Sequence, residues 1–423
     1  MLHEWGWLTV GQELDKVKFK QKHLDALAIY EQQAQTSFFR TYYNKVRFNE
    51  FVGVLKVGDL TIEVLPKTDK HELKKGEWQE VLLEILLISF QVEAKTTTLA
   101  NVNIRKHSVL DTYLQLFLDE AEKLIHQGLI KKYRTHVSNQ PALKGKLLVH
   151  QQITKNALHA ERFYVAHSVY DQDNVYNFIL RAGLECVASV GSDAVRRNAD
   201  ALLLFFPECK HRAVNEKLFA ALPYDRKTES YKRAIELARI ILLNYHPDIK
   251  GGSNDILAIM FDMNYLWESF IYWSLRRAAV NRGVKVYGQR SKLFWKKHNG
   301  WGMRLRPDLV IESYDRKVVV DTKWKYQKAV TPDDLRQLYA YLHYFESADG
   351  YLLYPDQVIE GVRKEAGDFQ DISAEHLSDL SCGLMFADLI KKTEDEKSLL
   401  NKDIGHRVLE ELGFIKQNVD QHG

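Results

Sequence analysis

The chain has 423 residues, 45% of them hydrophobic, with 59 basic against 56 acidic side chains and a formal net charge of +3. That length exceeds one ordinary domain and suits two or three. So balanced a charge excludes a protein that coats nucleic acid unaided, leaving any such binding to local basic patches or to a partner.

Three widely spaced cysteines, Cys186, Cys209 and Cys382, form no Cys-x-x-Cys pair. They argue against structural zinc and give no disulfide framework, and a reducing cytoplasm fits. The chain opens Met1-Leu2-His3-Glu4-Trp5, with no basic segment followed by an apolar run, so no secretory signal is expected. Val81 to Phe90 is too short for a bilayer and carries Glu84, so no membrane span is expected.

The first hundred residues read as β-rich. Aromatics lie among basic residues in Phe38 to Tyr43 and Lys45 to Phe48, and alternating strands from Phe51 to Lys67 flank a Gly58-Asp59 hairpin signal. The spacing turns helical over Glu77 to Phe90 and over Ser108 to Gly128, where Ser108 suits a cap and Gly128 a stop. Leu143 to Gln152 returns to strand character. Helices are expected over Asn174 to Val190, Asp193 to Phe206 and Lys227 to Asn244, and Asn244 to Asn254 reads as a loop and boundary. The expected organisation is an α/β chain, α+β overall: a β-rich domain at 1–165, a helical connecting region at 166–250 and a third domain at 251–423.

In that last part, a helix over Asn264 to Val280 precedes a short strand, Val284 to Tyr287. Strands are expected over Arg304 to Glu312 and Lys317 to Lys325, joined by a turn at Ser313 to Arg316. Thr331-Pro332-Asp333-Asp334 starts a helix running to about Glu346, Gly350 to Pro355 reads as a strand, and Ala387 to Gly423 as mainly helical. Two carboxylates sit where solvated turns would be usual: Asp308 in RPDLVI and Asp321 in VVVDTKWK. Side chains two apart on a strand share a face, so Asp321 and Lys323 point one way and Thr322 the other. A hairpin would bring Asp308 beside them. Two carboxylates suffice to anchor a hard divalent cation such as Mg²⁺, which keeps several waters. A lysine beside them can stabilise developing charge or orient a water.

Pro307-Asp308 followed by Asp321-Thr322-Lys323, in the order helix, three strands, helix, strand, resembles the PD-(D/E)xK nuclease superfamily. That resemblance implies a restriction-endonuclease-like core. It also implies Glu268, on the first core helix, as a further metal ligand; a surface position is the alternative. Gln337 and Tyr341, one helical turn apart, match a Gln-x-x-x-Tyr pair placed near such sites, which implies Gln337 as a catalytic residue, with ordinary helix-surface placement as the alternative for both; Lys325 is either a phosphate contact or a solvated strand-end lysine. Over nearly the whole chain the sequence looks like the McrC subunits of McrBC-type restriction systems. The carrying segments are GVLKVGDLTIEVLPK at 53–67, LKGKL at 143–147, DQDNVYNFIL at 171–180, DMNYLWESF at 262–270 and the RPD…DTK motif. Trp267 stands where that family leads one to expect phenylalanine, an aromatic for an aromatic.

The McrC resemblance implies an Mg²⁺-dependent endonuclease that cleaves double-stranded DNA within a GTP-dependent, 5-methylcytosine-directed restriction complex. By the same resemblance, residues 1–165 bind and stimulate an McrB-like AAA+ GTPase. No G-x-x-x-x-G-K-[ST] stretch occurs, so nucleotide hydrolysis is assigned to that partner. The aromatic and basic segment from Phe38 to Phe48 suits either insertion into a ring-shaped partner or a small β-core. The alternative function is a non-cleaving adaptor that activates the GTPase while retaining the nuclease fold.

Overall fold

The computed structural model describes residues 2–14, 17–34, 37–66, 75–89, 109–209, 212–243, 245–246, 256–298, 300–325, 330–356, 361–370, 377–392 and 398–416. The chain divides into two compact units, one made of Met1–Val109 with Met260–Gly423 and the other of Leu110–Ile259. Compactness thus draws its line elsewhere than the linear 1–165, 166–250 and 251–423 expected from the sequence. Among the described residues no helix is long and apolar enough to cross a membrane.

In the first unit a small antiparallel sheet joins β1 (Trp7–Thr9) to the hairpin β2 (Phe39–Tyr42) and β3 (Lys45–Phe48), in the order β1-β3-β2. Its inner face buries Leu8, Phe39, Val46 and Phe48. Next come β4 (Phe51–Val57) and β5 (Leu60–Leu65), paired antiparallel with Val57 opposite Leu60. The expected hairpin forms because Gly58, at φ 57°, takes the left-handed turn that a side chain would resist. Helix α1 (Lys75–Ser89) is apolar nearly all round, burying Trp78, Val81, Leu82, Leu83, Ile85, Leu86 and Leu87, and it packs between layers accordingly. One of its neighbours is α2 (Met263–Ala278), where the Ser89 hydroxyl donates to the carbonyl of Leu266 at 3.3 Å. The first hundred residues therefore share a core with the last third of the chain.

The main sheet of this unit runs β6 (Lys285–Gly288), β7 (Leu309–Glu312), β8 (Lys317–Thr322), β9 (Asp349–Asp356) and β10 (Leu377–Asp388), with Val362–Glu365 at the far edge. Pairing is antiparallel from β6 through β8 and parallel from β8 through β10, with helix α3 (Pro332–Phe345) crossing between β8 and β9. Val318, Val319 and Val320 are all fully buried, as befits a strand covered on both faces. On one face, Val310, Val319 and Leu352 pack with Leu338, Leu342 and Phe345 of α3. Towards α2, the Trp267 indole donates to the carbonyl of Leu353 at 3.3 Å. A full capping box between Thr331 and Asp334, with Pro332 behind it, starts α3 as expected.

Three expectations for this unit need correction. The strand expected over Arg304 to Glu312 is broken at Arg306-Pro307-Asp308: Leu305 pairs with Lys292 in a separate hairpin, whereas Leu309 pairs with Gly288 in the main sheet. The strand expected to reach Lys325 ends at Thr322. Beyond Ala387, the described residues are helical only in α4 (Ile404–Glu411) and its ends; Ile390–Lys392 and Ser398–Leu400 pair as strands, and 417–423 lie outside the described residues.

The second unit is a helical cluster built on Val109–Gln127, Val175–Val190, Asp193–Leu203 and Lys232–Leu243. Gly183 lets two of these helices approach closely, since a Cβ there would lie 2.7 Å from the Phe117 ring. The two asparagines at the start of the Val175–Val190 helix have a structural use: buried Asn177, in its first turn, donates to the carbonyls of Ile130 and Gln172 and accepts from the Tyr231 hydroxyl, while Asn174 caps the helix. Two strands were not anticipated, Lys132–Gln140 and Phe163–Asp171, which pair antiparallel over their whole length. The strand expected over Leu143 to Gln152 reduces to Lys146–Leu147 and gives way to a helix at Val149–Asn156. Ser108 and Asn244, expected at helix ends, lie outside the described residues.

Leu352→Ala should lower the stability of the first unit by about 2–5 kcal/mol, because it opens a cavity in the centre of the sheet. Denaturant unfolding followed by a probe in that unit measures the shift, and a change below about 1 kcal/mol would place Leu352 outside the core.

Candidate active site at the ends of two strands

The antiparallel register of β7 and β8 places Leu309 opposite Val320, so the next residues outward, Asp308 and Asp321, face each other where the ladder ends. Asp308 is fixed by its neighbour: the Thr322 amide and hydroxyl both donate to Asp308 Oδ2, at 2.7 and 2.8 Å, leaving Oδ1 for another ligand. Thr322 was expected to point away from the site. Its hydroxyl reaches Asp308 because β8 ends at this residue and strict alternation ends with it. Asp321 is only 1% exposed, and its Oδ2 lies 2.8 Å from Lys323 Nζ without a well-aligned hydrogen bond.

Lys323 is held from several sides. Its backbone amide donates to the carbonyl of Leu353 at 2.9 Å, and its ammonium lies 3.3 Å from Asp334 Oδ1 and 3.2 Å from Gln337 Oε1. Gln337 Nε2 in turn donates to the Tyr341 hydroxyl at 2.7 Å, which donates to the carbonyl of Arg306 at 3.2 Å. The expected Gln337 and Tyr341 pair thus joins Lys323 to the segment that carries Asp308. Lys325 pairs with Asp334 Oδ2 at 3.3 Å.

Glu268 projects from the middle of α2, half-buried, and its Oε1 accepts from Gln289 Nε2 at 2.8 Å. Gln289 takes a left-handed backbone at φ 48°, and its amide donates to the carbonyl of Asp308 at 2.8 Å, so one strained residue ties Glu268 to the Asp308 segment. The electrostatics are those of crowded acids. Burial, then the Asp308 charge, pushes the Glu268 carboxyl up to about 7. Asp321 is likewise raised by burial and by Asp308, and Asp308 is raised by burial against the opposing Thr322 hydrogen bonds. Burial alone would lower Lys323, yet Asp321 and Asp334 outweigh it and keep the ammonium charged.

Two of the acids expected to hold a metal, Asp308 and Asp321, are brought together; Glu268 lies within their electrostatic reach but is engaged by Gln289. Among the described residues no three His, Cys, Asp or Glu side chains converge closely enough to hold a metal ion. The donor set still suits a hard cation: paired carboxylates, a free Asp308 oxygen and a buried Asp321 oxygen lacking an aligned hydrogen bond. Sequence reasoning missed Thr322, Gln289 and Asp334. Asp334 was read only as a helix-start acid, and its use as a partner for Lys323 depends on the α3 N-terminus docking beside the end of β8, which local pattern does not report.

The family model described as "McrBC 5-methylcytosine restriction system component" matches residues 46–355. Among solved structures, the chain resembles one from a refined half-complex of a tetradecameric assembly of Thermococcus gammatolerans McrB AAA+ hexamers with bound McrC. The likeness has a TM-score of 0.63 and 17% identity, covering 96% of this chain and 98% of that one. A chain of the Thermococcus gammatolerans McrBC complex gives a TM-score of 0.50 at 20% identity, covering 66% of this chain and 88% of that one. No curated protein matches the sequence.

Because Glu268 binds its proton more tightly folded than unfolded, the folded state should lose stability as pH rises from the ordinary carboxylate range through about 7. Thermal unfolding without divalent cations, from about pH 5 to about pH 8, should show that fall, and Glu268→Gln should make it shallower, with raised Asp308 and Asp321 supplying the remainder. Identical profiles for the two proteins would remove Glu268 from the acidic cluster.

Proposed function

The chain belongs to the McrBC 5-methylcytosine restriction system component family, and from that premise we propose that it is the Mg²⁺-dependent, DNA-cleaving subunit of such a complex, working with an McrB-like AAA+ GTPase. The observation that carries this reading is the facing pair Asp308 and Asp321, with Lys323 steadied beside them through Gln337, Tyr341 and Arg306. When bound, Mg²⁺ supplies polarisation of a phosphoryl oxygen and a more acidic water. Asp308 and Asp321 would hold it, with Glu268 as the third candidate ligand. Thr322 keeps Asp308 turned into the site.

Lys323 then has a defined task. Its ammonium stays charged beside Asp321, where it can orient an attacking water or stabilise the charge that develops on the phosphoryl oxygens. Gln337 positions that ammonium. Hydrolysis would leave one phosphate and one hydroxyl end. The partner assignment rests on the family and on the solved assemblies of similar fold in which McrC is bound to McrB hexamers. Within that reading, the sequence resemblance implies that residues 1–165 bind and stimulate the GTPase. Deleting 1–165 is a poor test of that task, because residues up to Val109 share a compact unit with the candidate site.

Asp321→Ala should reduce cleavage of methylated plasmid about a thousandfold or more, the loss of several kcal/mol of charge stabilisation, while stimulation of the partner GTPase continues. The assay combines the chain, the partner, Mg²⁺ and GTP. Cutting that survives the substitution would refute the site. Stimulation with no cutting by the unaltered chain would favour the adaptor function.

A further inference from the structure

The outer face of the β1-β3-β2 sheet has an unusual composition. Cross-strand register puts Trp7, Arg47 and Arg40 in one row and Thr9, Lys45 and Tyr42 in the next, while Leu8, Val46, Phe39 and Phe48 fill the buried side. The six outward positions include three cations and no acid. Arg40 and Arg47 are directly opposite, a placement that costs stability through repulsion unless an anion offsets it. Neither they nor Lys45 makes an ion pair among the described residues. The aromatic rings do not compensate the charge but hold it in place: Lys45 Nζ sits 4.2 Å from the centre of the Trp7 ring, and the Arg47 guanidinium lies 5.5 and 5.6 Å from Trp5 and Trp7.

Trp5 adds an independent sign of use. It takes a left-handed backbone at φ 62°, which a bulky side chain resists, and is fixed there by its amide donating to Asn49 and by Gly6 donating to His3. Its ring nevertheless stays 44% exposed, so burial does not explain the strain. Tyr43, at the hairpin tip, is 97% exposed. The sheet is also tied to the candidate site at two points. The Trp324 indole, one residue beyond Lys323, donates to buried Glu4 at 3.0 Å, and the amide of Met263, which starts the helix bearing Glu268, donates to Glu50 at 3.2 Å.

We propose that this face is a seat for the phosphate backbone of double-stranded DNA, with Arg40, Lys45 and Arg47 as phosphate contacts, extending the track of the substrate away from Asp308 and Asp321. The inference rests on the nuclease reading above. It explains why an almost neutral chain gathers unpaired cations here, and why the rings are spent on presenting ammonium and guanidinium groups instead of offering open faces to bases.

The test is fluorescence anisotropy of a labelled, unmethylated duplex of about three helical turns with the full chain, without divalent cations, across roughly 50 to 200 mM salt. Arg40→Ala/Lys45→Ala/Arg47→Ala should weaken binding about tenfold or more and flatten the log–log salt slope by between about one and three. Arg40→Lys/Arg47→Lys should keep most of the slope. Arg40→Glu, at an exposed position, serves if the triple variant does not fold, and should also lose affinity. Trp5→Asn, which suits the left-handed backbone, should raise Tm yet weaken binding about two- to fivefold. Unchanged affinity and slope in the charge variants, or no duplex binding by the unaltered chain, would overturn the proposal. So would variants that keep DNA affinity but fail to capture the GTPase, since the face would then be a protein interface. These outcomes are separate from the nuclease reading, which stands or falls on whether cleavage requires Asp321.

Discussion

A carboxylate at the exposure of Asp321, with a second one facing it across the ladder, is a charge that the fold would expel unless something held it in place. Removing charged groups from water costs several kcal/mol each, and the available compensation is one ammonium at 2.8 Å. Everything near the site serves that arrangement. The Leu353 carbonyl fixes the backbone of Lys323, Asp334 and Gln337 hold its ammonium, and Tyr341 connects it to the segment leading into Asp308. This pair of acids sits where a divalent cation would relieve their repulsion.

Positioning comes from the sheet more than from any loop. Valines at 318, 319 and 320 lock β8 between layers, so Asp321 cannot drift without moving the core. The break at Arg306-Pro307-Asp308 frees the other carboxylate from the ladder just enough for its side chain to reach Thr322. Rigid strand and short break together put the two acids at one end of the sheet.

Much of this was readable in the chain because the signals are local. The hairpin around Gly58, the capping box at Thr331, the apolar period of α2 and the β-branched run before Asp321 each declare themselves within a dozen residues. What escaped depends on contacts distant in sequence or on weak patterning. Lys132–Gln140 alternates half-buried and exposed residues with little apolar content, so its partner strand, more than its own composition, makes it a strand. Leu377–Asp388 lacks a clean alternation and is held by parallel pairing to β9. The fit of Glu4 to Trp324 joins residues 320 apart in sequence, and the docking of Asp334 on Lys323 is set by tertiary packing.

The interrupted make-up of the first unit has a consequence for biosynthesis. Its early strands and α1 leave the ribosome first, but α2 and the sheet they pack with follow only after Leu110–Ile259 has been translated, roughly ten to thirty seconds later. A chain interrupted before Met260 lacks Glu268, Asp308 and Asp321 altogether and leaves the apolar residues of α1 without the later elements that bury them. Released at that point, the chain carries the early strands and α1 but none of the residues that complete their core.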